Sequence, residues 1–359
     1  MSARADPGRD EFEASETTLG DAIAEEAADD VGPPQPAWRR ILTHRDTAIV
    51  LVAAALFVFF ALSAHRFLAA YTMMELARRA AILGILGVGM TFLFVAGELD
   101  LSIGSHYSFL LILMSYQNEH LGITPTIAAL VVIVIGLLIG ALNGVLVTRV
   151  GLPSFITTLG MLALLRGATN VISSGYPIPA KNTALPFYQI IRANLPGTRV
   201  PNMFAAMLVV VLIGGIILAT TRFGSHVYAA GGNVSAARNA GIDVARVKFR
   251  CFVAMGGLCA LAAIILFGRV GLAPLNAGNG LELQVIAAII IGGVGLYGGR
   301  GDILGSTVGV LILCMITSGL ILLGVQAYWD GVATGAMILL AVGLNLAVHR
   351  RSRRDRGIA

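Results

Sequence analysis

Residues 96–108 read AGELDLSIGSHYS and begin where the apolar run 80–97 ends, so Glu98 and Asp100 interrupt what otherwise reads as continuous membrane sequence. A carboxylate at mid-bilayer costs roughly 2.5–3.5 kcal/mol on insertion scales, so acids placed here need a structural reason. Asp100 stands where a new apolar run begins, placed to accept the free amides of a helix N-terminus. The chain repeats the device at residues 298–306, GGRGDILGS, where Asp302 precedes another apolar run. Glycine-bearing segments lead into both acids, LGILGVGMTF at 83–92 and IAAIIIGGVGLYGG at 286–299. Such a weak internal repeat, with halves meeting at broken helices, is how many transporters build a shared pathway. On that reading Gly97, Asp100, Ser102, Gly104, Gly298, Gly299, Arg300, Gly301 and Asp302 belong to a translocation pathway. The plainer alternative, that both acids merely cap interfacial turns, stays open at this point. Glu98 reads as a solvated turn residue.

Outward from this stretch, composition sets the class. The 359 residues are 57% hydrophobic and 13% charged, against about half and a quarter in soluble domains, and mean hydropathy is +0.83. The first 30 residues hold ten of the twenty acids but only two basic residues, Arg4 and Arg9. With Pro33, Pro34 and Pro36 behind them, residues 1–37 read as a disordered acidic tail. Residues 38–348 read as a transmembrane domain and 349–359 as a basic cytoplasmic tail. No apolar segment of signal-peptide type occurs before residue 48.

Candidate spans lie at 47–65, 80–97, 101–117, 126–147, 153–173, 204–220, 250–268, 283–298, 303–324 and 331–348, against the 20 or so residues a crossing requires; 101–117 and 283–298 are short, and Arg166 interrupts 153–173. The expected fold is therefore all-α, a polytopic bundle of about ten spans with broken helices. Arg39, Arg40 and Arg45 precede the first span, and Arg350, Arg351, Arg353, Arg354 and Arg356 follow the last. The positive-inside rule then puts both termini in the cytoplasm, which ten spans satisfy. Loop 221–249 falls inside and loop 174–203 outside, although Arg66, Arg78 and Arg79 count against the scheme. Gly140 and Gly144 form one of several small-residue pairs suited to close helix packing.

Chemistry of other kinds finds little support. Lys181 and Lys248 are the only lysines and neither completes a phosphate loop, so the chain has no ATP-hydrolysing motif of that type. The six histidines are scattered, and Cys251, Cys259 and Cys314 lie in apolar runs without metal-ligand spacing. No catalytic residue, metal or cofactor is expected, and no nucleic-acid partner.

Five stretches carry a resemblance: GVGMTFLFVAGELDLSIGS (87–105), LPSFITTLGMLALLRGATNVISSGYPI (152–178), TRFGSHVYAAGGNVSAARNAGIDVARVK (221–248), ELQVIAAIIIGGVGLYGGRGDILGS (282–306) and LGVQAYWDGVATGAMILLAVGLN (323–345). Together they resemble the ribose/xylose/arabinose-type permeases of bacterial ABC importers. The chain departs from that pattern at Gly97-Glu98, where Gly-Gly is common, and at Gly295-Leu296-Tyr297. The resemblance implies an inner-membrane permease for a monosaccharide that works as a homodimer among membrane lipids. Its partners would be a cytoplasmic ATP-binding subunit and a periplasmic sugar-binding protein.

One cytoplasmic stretch supports this from its residues. In AAGGNVSAARNAGID, 229–243, Asn233 can cap a helix over Val234–Ala240, Gly241 can end it, and Asp243 can cap the next. A short Ala-rich helix suits docking in a partner's groove, with Ala236 and Ala237 allowing close approach and Arg238 at the rim. The resemblance makes it the coupling helix, formed by Gly231, Gly232, Asn233, Ala236, Ala237, Arg238, Gly241 and Ile242. The competing expectation is an ion-coupled secondary transporter of a small polar solute, with Asp100, Asp302 and Glu282 as its intramembrane acids.

Overall fold

The computed structural model describes residues 45–326, 329, 331–337, 339, 340 and 343. Contacts divide the chain into Met1–Ala48, of which only residues 45–48 are described, and Ile49–Ala359, which holds the bundle. The expected tails 1–37 and 349–359 lie outside the described residues.

The helices with bounds on both sides are, in chain order, α1 (Arg45–Ser63), α2 (Ala70–Val95), α3 (Ile103–Glu119), α4 (Pro125–Thr148), α5 (Ser154–Ser173), α6 (Pro186–Arg192), α7 (Asn202–Thr220), α8 (Arg222–Gly232), α9 (Val234–Asn239), α10 (Val244–Val270), α11 (Leu281–Ile291) and α12 (Ile303–Leu322). Two-residue strands β1 (Ile178–Pro179) and β2 (Leu272–Ala273) pair antiparallel, with Ile178 opposite Ala273. Among the described residues six helices, α2, α4, α5, α7, α10 and α12, are long and apolar enough to cross a membrane. The protein is a helical membrane bundle, and the expected ten spans are not all met by single helices. Residues 331–337 of the last expected span are helical, and part of that span lies outside the described residues.

The largest difference from expectation is at 283–298. There the helix stops at Ile291, and eleven residues rise only about 16 Å, half of a bilayer's roughly 30 Å core. Gly292 and Gly293 end it, the latter at φ +94°, and the chain turns through 292–302 before α12 starts. A broken helix thus stands where a short span was expected.

Polarity decides which helix is central. Ser105, His106, Ser108, Ser115, Gln117 and Asn118 of α3 are all buried, because lipid cannot solvate them. Several find partners inside: Ser115 Oγ donates to the Ile178 carbonyl at 2.6 Å, and the Lys181 amide donates to Asn118 Oδ1 at 3.0 Å. By contrast α4, α5 and α7 keep apolar side chains such as Leu138, Leu164 and Leu212 exposed on their outer faces.

The crossing of α4 and α10 rests on small residues. A methyl at Gly136 would fall 2.7 Å from the Gly256 carbonyl oxygen, and one at Gly140 would fall 3.1 Å from Gly256 Cα. Lipid gives helices no hydrophobic reason to associate, so such close van der Waals approach holds them together.

Candidate functional site

Two turns between helices, 96–102 after α2 and 292–302 after α11, come together around the end of α8, and the repeat predicted the first of them and residues 298–302 of the second. The amide of Gly299 donates to the Val95 carbonyl at 2.9 Å and joins one turn to the other. Gly231, in the last turn of α8, packs between them. A methyl there would fall on the Val95 carbonyl oxygen and 2.8 Å from the Gly299 nitrogen. A methyl at Gly298 would fall 2.9 Å from Gly97 Cα, and one at Gly299 would fall 2.6 Å from Gly232 Cα. Three backbones therefore meet with no side chain between them, which only glycine permits.

Polar contacts fix this junction from its edges. The Tyr228 hydroxyl, on α8, donates to the Gly301 carbonyl at 2.6 Å. Burial, and then the negative charge of Asp302, hold that phenol above its usual range, so it remains a donor. Lys248 Nζ lies 2.6 Å from Glu98 Oε1, and both side chains are mostly buried, at 16% and 12% exposure. This corrects the reading of Glu98 as a solvated turn residue: its carboxylate ties the first turn to the start of α10. Thr91 on α2 and Ser306 on α12 place their buried hydroxyls 2.8 Å apart.

The two repeated acids differ in what they do. Asp302 is the N-cap of α12, its Oδ1 accepting from the Gly305 amide at 2.6 Å. Asp100 is buried and does not cap the first turn of α3, whose N-cap is Ser102. Its Oδ1 accepts from the Ser102 amide at 2.8 Å and the Ser102 hydroxyl at 2.5 Å, and Asn143 Nδ2 reaches that hydroxyl at 3.1 Å. The Asp100 side chain thus closes a turn two residues long and organises a buried polar cluster. Gly104 lies apart from the junction, pressed against the backbone of Gly278. Arg300 is exposed, its carbonyl accepting the Gly295 amide within the second turn.

From the junction the chain runs straight into α9. Asn233 Oδ1 accepts from the Ala236 amide at 3.0 Å, and Asp243 Oδ1 accepts from the Arg246 amide at 2.9 Å. Gly241 has φ +79°, its amide donating to the Arg238 carbonyl while the Ile242 amide donates to Ala237. That pair of bonds is a Schellman stop, which also brings the hydrophobic residue after glycine back against the helix. Ala236 and Arg238 are exposed, but Ala237 is 3% exposed and packs with Ile242 against the bundle. The expectation that Ala236 and Ala237 face a partner together is therefore corrected: the stop turns Ala237 inward.

Sequence reasoning named the glycines of this site as two separate sets and missed Val95, Tyr228 and Lys248. Lys248 carried a signal, since lysine occurs only twice in the chain. Among the described residues no three His, Cys, Asp or Glu side chains gather as a metal site.

Residues 72–342 match the family described as "Branched-chain amino acid transport system / permease component". The chain belongs to this permease family. Among curated relatives, the permease is 37% identical over 279 residues to the ribose import permease protein RbsC of Bacillus subtilis (strain 168), covering 78% of this chain and 86% of the relative. It is 34% identical over 312 residues to the probable ABC transporter permease protein YphD of Escherichia coli (strain K12), covering 86% and 92%. A third relative is the xylose transport system permease protein XylH of the same strain, 32% identical, with 84% of the permease and 92% of the relative covered. No solved structure matches the permease.

Proposed function

We propose that the permease is the membrane subunit of a bacterial ABC importer that carries a monosaccharide across the inner membrane. The observation that carries this reading is the likeness, over most of both chains, to permeases named for ribose and xylose import. Hydrolysis then belongs to a separate ATP-binding subunit on the cytoplasmic side, and a periplasmic binding protein delivers the sugar. The working unit is a homodimer, and both termini face the cytoplasm.

In this mechanism α9 is the coupling helix. Its exposed side, with Ala236 and Arg238, enters the groove of the ATP-binding subunit. A push on α9 reaches α8 within one residue, and Gly231 bears directly on both broken-helix turns. No soft side chain lies between them to absorb the displacement. The turns head α3 and α12, so docking on the cytoplasmic side is converted into movement of helices that border the pathway.

Vesicles carrying the complete importer test this. ATP-dependent accumulation of a labelled monosaccharide that survives collapse of the proton gradient supports it. Uptake that follows the proton gradient and ignores ATP would replace it with the secondary transporter.

A further inference from the structure

At the far ends of α2 and α10 from the glycine junction lies a cavity of about 370 Å³, within the range of small-molecule pockets. Its walls include Glu75 and Arg79 of α2, Tyr107 of α3, Arg269 of α10, Gln284 of α11 and Ser318 of α12. Gly278 forms part of the lining, and its backbone packs against Gly104. Every helix that leads into or out of the two broken-helix turns contributes to this chamber.

Its charges do not balance. Glu75 is fully used: Oε1 is 2.6 Å from Arg78 Nη1 and Oε2 is 2.5 Å from Arg269 Nη2. Arg79 has no carboxylate within ion-pair distance among the described residues, and its Nη1 donates to a neutral group, the Thr317 hydroxyl, at 3.0 Å. Arg78 and Arg269 thus share one carboxylate, and Arg79 stands outside that pairing. Glu282 lies beside Gly104, within electrostatic reach of Arg166. Arg79 is itself exposed where it lines this cavity, so its planar fork of donors, matched to a carboxylate or phosphate, is open to an entering solute.

We infer that this chamber receives the solute and that Arg79 makes it a filter for a monosaccharide bearing an acidic group, such as a uronic or aldonic acid. The inference rests on the importer reading for the word monosaccharide, but the charge preference stands on the chamber alone. Tyr107, Gln284 and Ser318 line the same chamber, and Arg79 supplies the charge selection.

The charge preference can be read without transport. The native cysteines are buried, so a thiol introduced by Ser318→Cys in the full chain is the reporter. Its modification rates by sulfonatoethyl and trimethylammonioethyl methanethiosulfonate are compared with Arg79 present and with Arg79→Gln. The anionic-to-cationic rate ratio should fall roughly tenfold on loss of Arg79, as expected for one uncompensated charge nearby. Arg79→Lys should keep most of the ratio, and a neutral methanethiosulfonate should react equally with all three proteins, which shows the chamber intact. A ratio unchanged by Arg79→Gln, or a thiol that reacts with no reagent, overturns the filter.

The complete importer gives the second arm. D-galacturonate should accumulate in preference to D-galactose and lose that preference with Arg79→Gln. Uptake of D-galactose alone, indifferent to Arg79→Gln, overturns the inference while leaving the sugar importer standing. Uptake of leucine and of no saccharide removes the sugar reading, and the thiol ratio still decides whether Arg79 selects by charge.

Discussion

At the scale of single residues, the difference between Gly231 and its neighbour Gly232 is one methyl group's room. At Gly231 that methyl would overlap the Val95 carbonyl, whereas at Gly232 its nearest neighbour outside the chain's own turn is Gly299 Cα, 3.9 Å away. Overfilling a packed site costs about 1–3 kcal/mol or more, and here the obstacle is backbone that cannot rotate aside. Gly231→Ala should therefore lower thermal stability in detergent and abolish uptake, while Gly232→Ala leaves both near wild type. Equal behaviour of the two variants would disprove the close junction. The Glu98–Lys248 pair makes a second case. Removing one partner of a largely buried ion pair costs about 3–5 kcal/mol, but replacing both with neutral side chains costs far less. Lys248→Met should thus unfold several degrees early, and Glu98→Gln with Lys248→Met should recover most of the loss in the same melting experiment. Such residue-level features were the least legible in the sequence. The pair joins positions 150 residues apart, and nothing local to Glu98 announces its partner.

Elements were legible where their signals are local. Asn233, Gly241 and Asp243 each act within three or four residues, so α9 and its boundaries could be read directly from the chain. The Schellman stop predicts what substitutions do. A β-branched residue at φ +79° is strongly disfavoured, so Gly241→Val should misdirect α9 without touching the bundle. We expect normal insertion and abundance, with loss of co-purification with the ATP-binding subunit and loss of uptake. Ala236→Arg should do the same from the exposed face. Ala237→Arg, pointing inward, should instead reduce the amount of folded protein. If Gly241→Val and Ala236→Arg both keep the subunit bound and transport intact, residues 231–242 are not the coupling element. α11 was misjudged for the opposite reason. Its apolar character continues through 292–298, and composition alone does not reveal that Gly293 adopts a left-handed conformation and ends the helix.

For the whole molecule, hydropathy gave the helical membrane class and most helix positions, because burial in lipid selects apolar residues irrespective of partner. It did not give the number of crossings, since α3 hides its polar residues by being central and α11 is only half a span. Orientation remains open to a direct test: a reporter fused after Ala359 should be active on the cytoplasmic side, and periplasmic activity would invert the scheme. The order of synthesis sets a further constraint through the α4–α10 crossing. Gly136 and Gly140 leave the ribosome more than a hundred residues ahead of Gly256. At about 5–20 residues per second, α4 waits on the order of ten seconds in the bilayer with its small-residue face uncovered. During that interval the nascent permease is an incomplete bundle, open to wrong helix pairings and to quality-control proteases. Chains truncated before residue 244 should therefore be degraded quickly, and slowing translation between α4 and α10 should lower yield more than slowing it after α10.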